Sequence, residues 1–155
     1  MTGETTDKPT GPLVVGFDGR DESEKALDWA IAEATERRVR VIVLVVAQIP
    51  VDTVNALDPS PIGFSTFPVA TAEGPLEIRP ILEHARQKLA DAGVDGSVTW
   101  SYGSPAGEIL RLADEEDAST IVVGTHHHSA LARLLGGDVA TSVVRAAHRD
   151  VVVAR

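Results

Sequence analysis

The sequence predicts a doubly wound α/β fold, a three-layer α/β/α sandwich around a five-stranded parallel sheet with strand order 3-2-1-4-5. Three observations carry that expectation. Five short runs rich in β-branched residues alternate strictly with segments of helical period, which implies parallel strands joined by crossover helices. Four of the runs are almost continuously apolar, as strands covered on both faces are. The third run alternates instead, which marks a sheet edge and selects the order 3-2-1-4-5 over 2-1-3-4-5. A length of 155 residues suits one domain with one buried core.

The first strand is read from "LVVGF" (13–17). Ala26, Leu27, Ala30, Ile31 and Ala34 then follow a 3.6-residue spacing, and Asp21 with Glu24 three positions later predicts a capping box at the start of this helix. "VIVLVVA" (41–47) is the second strand. Ile78, Ile81, Leu82, Ala85 and Leu89 mark a second helix that ends at Gly93, which has no Cβ to oppose a left-handed turn. In "VTWSY" (98–102), Val98, Trp100 and Tyr102 share one face, and Thr99 and Ser101 the other. Ile109, Leu112 and Ala113 mark a third helix, with Ser104 as N-cap and Pro105 at its first position, where a missing N–H costs nothing. "IVVG" (121–124) is the fourth strand. Val139, Val143 and Ala146 or Ala147 mark the last helix, capped by Asp138, and "VVVA" (151–154) is the fifth strand.

The remaining segments are read by composition. The polar start, residues 1–12, is expected as a flexible leader before a domain spanning 13–155. Residues 48–75 contain five prolines and no sustained period, and are expected to be a long loop, whether a lid, a partner-binding flap or simply a mobile segment. Hydrophobic residues make up 43% and charged residues 24%, a balance found in ordinary soluble domains. A net charge of −9 excludes general attraction to nucleic acid or to an anionic membrane, though not a local anion site. The chain has no cysteine and no apolar run near the roughly 20 residues that cross a bilayer. A cytoplasmic location is expected.

In open α/β sheets, ligands bind beyond the carboxyl ends of the strands where the winding reverses. Here that point lies between the first and fourth strands, so the candidate ligand-binding residues follow Gly16 and Phe17 on one side and Val123 on the other. Asp18 closes the first strand in "GFDGRDES" (16–23). Its carboxylate can accept hydrogen bonds from an adenine amino group or ribose hydroxyls, or help hold a metal, or it can simply belong to a turn before Gly19. The segment lacks the G-x-G-x-x-G pattern, so a dinucleotide fingerprint is absent. After the fourth strand comes "GTHHHSALARLLGGDVATS" (124–142). Its glycines Gly124, Gly136 and Gly137 permit close backbone approach, and the loop leads to a helix N-terminus whose free N–H groups favour an anion.

From about Leu13 onward the chain resembles the universal stress protein family. The likeness rests on "VVGFDG" (14–19), "GSPAGEILRLADEEDASTIVVGTH" (103–126), the glycine loop and the final hydrophobic strand. ATP-binding members share a loop G-x2-G-x9-G-[S/T]. On this sequence Gly124 and Gly137 match the first and third glycines, whereas His127 stands in place of the second and Asp138 in place of the hydroxyl residue. The resemblance further implies that Asp18 is the acidic contact after the first strand and that Val46 faces the adenine. His128, directly after His127, and Val139, directly after Asp138, are further candidate contacts of the same site. ATP or AMP, with Mg²⁺, is therefore the implied ligand, and the departures at His127 and Asp138 count against its phosphates.

Elementary physics supports that direction. A histidine forced into a left-handed conformation carries about 1–2 kcal/mol of strain. A carboxylate ~4 Å from a phosphate charge repels it by about 4 kcal/mol at an effective dielectric of 20. At roughly 1.4 kcal/mol per tenfold, this amounts to two to three decades of affinity. Asp138 is also among the best N-cap residues, so its own carboxylate is expected to fill the anion position. The triplet His126, His127 and His128, with Asp138, raises a metal reading, since imidazoles suit zinc, copper or nickel. Consecutive residues rarely converge on one centre, however. A pH-sensitive anion contact is the other role for these histidines.

The closing strand, residues 150–155, is an exposed edge if unpaired. Family resemblance implies a homodimer formed there; protein partners are the other expectation. No nucleophile, base and orienter assemble into a catalytic set. Three functions thus stay open: a non-catalytic stress-response module with an altered nucleotide site, an ATP or AMP binder with slow hydrolysis in which Thr141 or Ser142 replaces the lost motif residues, and a metal-binding module.

Overall fold

Apolar strand residues of alternating direction need a helix on each side, and the described residues supply two for each face. The computed structural model describes residues 10–48, 73–125 and 138–155. Along these run β1 (Leu13–Gly16), α1 (Asp21–Arg37), β2 (Val41–Ala47), α2 (Arg79–Ala92), β3 (Gly96–Tyr102), α3 (Pro105–Glu115), β4 (Thr120–Gly124), α4 (Val139–Ala146) and β5 (Asp150–Ala154). All strand pairs are parallel and the order is β3-β2-β1-β4-β5, as expected. The register aligns Val15 with Val43 and Val122, so the central layer is valine packed beside valine.

Two cores follow from the period-2 alternation of the strands. Leu13, Val15, Val41, Val43 and Val45 point to α1 and α2, where Leu27, Leu82 and Leu89 meet them. Val14, Ile42, Leu44, Ile121 and Val123 point to the other face, against Ile109 and Leu112 of α3 and Val143 of α4. Leu27, Leu82 and Ile121 are completely buried, each contributing about 1.5–3 kcal/mol of transfer free energy.

Helix ends show where local rules hold and where tertiary contacts prevail. Gly93 caps α2 at φ 65°, Ser104 precedes Pro105 at the start of α3, and Asp138 caps α4, all as read from the sequence. The capping box expected from Asp21 and Glu24 does not form. Arg20 occupies the N-cap without a side-chain cap, and Asp21 lies inside the first turn. Glu24 is drawn elsewhere: it accepts hydrogen bonds from His84 Nε2 and, at 2.6 Å, from Lys88 Nζ of α2. Lys88 also pairs with Asp28 at 2.6 Å, so one ammonium ties α1 to α2. Burial opposes its charge, but the hydrogen bonds it donates to Asp28 and Glu24, with their negative charges, outweigh that and raise its pKa above the ordinary lysine value.

Of the segment expected as a leader, Gly11 and Pro12 pack on the turn before β4, where Ser119 N–H donates to the Pro12 carbonyl at 2.9 Å. Residues 1–9 lie outside the described residues, as do 49–72 of the long loop. At that loop's far end, the Gly74 carbonyl accepts from Arg79 Nε at 3.0 Å. Among the described residues, no helix is long and apolar enough to cross a membrane.

Candidate functional site

The cleft is built first by the turn that follows β1. Phe17 N–H donates to the Leu44 carbonyl at 2.9 Å, which carries the strand pairing one residue past Gly16. The chain then reverses at Gly19, whose φ of 78° suits glycine. Asp18 N–H donates to Ser23 Oγ (3.3 Å), Arg20 N–H donates to Asp18 Oδ1 (3.0 Å), and Ser23 Oγ–H donates to the Arg20 carbonyl (2.9 Å). Ser23 is buried while Asp18 keeps a side chain 44% exposed. The turn reading of Asp18 is what the structure describes: Oδ1 closes the turn, and Oδ2 lies 3.8 Å from Arg20 Nε.

The second wall comes from β4 and α4. Thr125 N–H donates to the Ala154 carbonyl at 3.0 Å, so pairing with β5 holds the chain to the sheet until just past Gly124. A Cβ on Gly124 would lie 2.5 Å from the backbone carbon and oxygen of Glu22. Glycine at this position lets the first turn of α1 press against the end of β4. The close approach expected for a ligand is here made by the protein's own backbone. Gly16 has a similar role on the other face, where an added Cβ would meet Ile109 Cδ1 at 2.6 Å.

Between these walls lies a cavity of about 410 Å³, open to solvent at the carboxyl ends of the strands. That is within the roughly 300–1,000 Å³ typical of small-molecule sites. Gly16, Phe17, Asp18, Val46, Val123, Gly124 and Val139, all singled out from the sequence, line it together. Leu44, Ile109 and Pro105 complete an apolar floor and side, while Arg20, Ser23 and Gln48 add polar groups at the rim. Sequence reasoning missed these six. Arg20 and Ser23 carried a usable signal, since they flank Asp18 in the turn at the switch point. Ile109 and Pro105 come from a helix whose approach only the packing reveals.

Asp138 stands beside the cavity rather than in its lining. Its Oδ1 accepts from Ala140 N–H at 3.4 Å, a long contact, and the Asp138 carbonyl accepts from Ser142 N–H at 3.1 Å. The carboxylate thus takes one amide, Ala140 N–H, at the start of α4, a place where an anion is favoured. His126, His127, His128, Gly136 and Gly137 lie outside the described residues. Among the described residues, no group of three or more histidine or acidic side chains is arranged to hold a metal.

The cavity is lined by branched apolar side chains, with a carboxylate from Asp18 and an amide from Gln48 at its edge. The chain matches the universal stress protein family over residues 10–155. It is 33% identical over 151 residues to the universal stress protein YxiE of Bacillus subtilis, spanning 92% of this chain and 97% of that one. Among solved structures, it resembles a universal stress protein in complex with cAMP at a TM-score of 0.68 and 26% identity, covering 94% of this chain and 97% of the other. It also resembles the universal stress protein of Archaeoglobus fulgidus in complex with dAMP at a TM-score of 0.63 and 27% identity, covering 94% and 98%. Strand order, the crevice between β1 and β4, and a match running through the final strand agree, and the chain belongs to the universal stress protein family.

Proposed function

We propose that this chain is a non-catalytic stress-response module whose cleft keeps the adenosine half of an adenine-nucleotide site and has lost much of its phosphate half. The observation that carries the reading is the Asp138 carboxylate held by Ala140 N–H at the first turn of α4, beside a cavity whose size and lining suit a nucleoside. Val46 and Ile109 offer apolar faces for a base, and Asp18 offers an acceptor for an amino group or ribose hydroxyls. Relatives of similar fold solved with cAMP and dAMP support an adenine ligand. A second charge within a few ångström of a phosphate opposes its binding, and solvent around a half-exposed carboxylate moderates the effect. ATP is therefore bound weakly or not at all.

Titration calorimetry of adenosine and ATP against the wild type and Asp138→Ser tests this. Adenosine binds both proteins equally, and ATP gains about tenfold or more in the variant, equivalent to 1.4 kcal/mol or more. An unchanged ATP affinity in Asp138→Ser contradicts the reading. The position of β5 at the sheet edge supports a homodimer through residues 150–155, and a cytoplasmic location is proposed with it.

A further inference from the structure

We propose that Arg20 is the phosphate contact of this cleft, and that it makes the site selective for adenine mononucleotides bearing a single phosphoryl group over ATP. This rests on the adenosine reading of the cavity and adds to it the ligand's charge and the residue that reads it.

Arg20 is the one cationic side chain among the described residues that line the cavity. Its position is fixed by the backbone: the N–H is held by Asp18 Oδ1 and the carbonyl by Ser23 Oγ, so the side chain leaves from a rigid turn. The guanidinium is 71% exposed, and among the described residues its one ion pair is the loose 3.8 Å contact to Asp18. It therefore keeps most of its donors for a ligand and loses little by turning from Asp18 toward one. A planar guanidinium suits phosphoryl oxygens, which it can meet with two parallel hydrogen bonds.

The surrounding charge limits how many phosphates are tolerated. Asp18 shares the rim with Arg20, Asp21 and Glu22 follow it in the first turn of α1, and Asp138 occupies the start of α4. Beyond Arg20, each further phosphate enters a field of carboxylates. One phosphoryl group is matched by one guanidinium, while the β- and γ-phosphates of ATP have no cation among the described residues that line the cleft.

Calorimetry with adenosine, AMP and ATP on the wild type, Arg20→Gln and Arg20→Lys decides the matter. The wild type binds AMP about tenfold more tightly than adenosine, and ATP no better than adenosine. In Arg20→Gln the ratio of AMP to adenosine affinity falls to about one; Arg20→Lys restores part of it. The AMP advantage also shrinks with added salt, as expected of an exposed charge contact. If adenosine binds but AMP keeps its advantage in Arg20→Gln, the Arg20 assignment is wrong and the adenosine reading stands. If ATP binds the wild type more tightly than AMP, the selectivity is wrong. If adenosine does not bind at all, both fall together.

Discussion

Replacing Gly124 with alanine separates two roles that a glycine can have at the mouth of a cleft. The added Cβ would lie 2.5 Å from the carbon and oxygen of the Glu22 peptide and 2.8 Å from Ser23 N, all backbone atoms at the start of α1. No rotamer relieves such a clash; α1 or β4 must move. Overpacking of this kind costs about 1–3 kcal/mol, and exchanging a strand glycine for alanine returns about 0.5–1 kcal/mol of it. The expected net loss is about 1–2 kcal/mol, and a chain of this size loses roughly 2–4 °C of Tm per kcal/mol. Urea denaturation and calorimetric melting of wild type and variant measure it. Gly16→Ala is the control, since its Cβ would meet the end of the Ile109 side chain at 2.6 Å, which can turn aside. A Gly124→Ala protein as stable as the wild type, or more stable than Gly16→Ala, refutes the packing argument and returns Gly124 to a purely ligand-directed role.

Other perturbations test other parts of the account. Val46→Phe fills the apolar slot from β2 and abolishes adenosine binding by calorimetry while leaving the melting temperature within a few degrees, because Val46 is only half-buried. Leu82→Ala, at a completely buried position of α2, lowers unfolding free energy by about 2–5 kcal/mol in urea titrations. Lys88→Met removes the tie between α1 and α2 and costs about 1 kcal/mol at neutral pH. The raised Lys88 pKa sets the sign of its pH dependence: the stabilisation is complete below 10.5 and fades as pH climbs above it, so wild type and Lys88→Met converge in alkaline melts.

How far the sequence could be read depends on whether a feature is local. Strand order followed from the alternating pattern and from the amphipathic β3, whose Val98, Trp100 and Tyr102 lie half-buried at an edge. Caps at Gly93 and Asp138 and the N-cap position of Ser104, whose hydroxyl makes no capping hydrogen bond, were legible because each depends on one residue and its immediate backbone. The Asp21 and Glu24 capping box failed for a tertiary reason: Glu24 serves two partners on α2, His84 and Lys88, sixty or more positions away, which no local pattern announces. The same divide runs through the site. Gly16, Phe17, Asp18, Val123 and Gly124 were found from the switch-point rule, which is topological. Ile109 and Pro105 were not, since α3 reaches the cavity only because Gly16 lets it come close. Gly124 was located correctly but for an incomplete reason, its nearest neighbour being α1 itself.

Amide chemical-shift mapping with AMP tests the central claim most directly. The account predicts fast-exchange shifts concentrated at Gly16, Asp18, Arg20, Val46, Gly124 and Val139, around one cavity at the carboxyl ends of β1, β2 and β4. Absence of any shift at millimolar AMP, or shifts gathered instead around Arg38, Arg40 and Asp95 in the smaller hollow formed by the α1–β2 and α2–β3 connections, would contradict it.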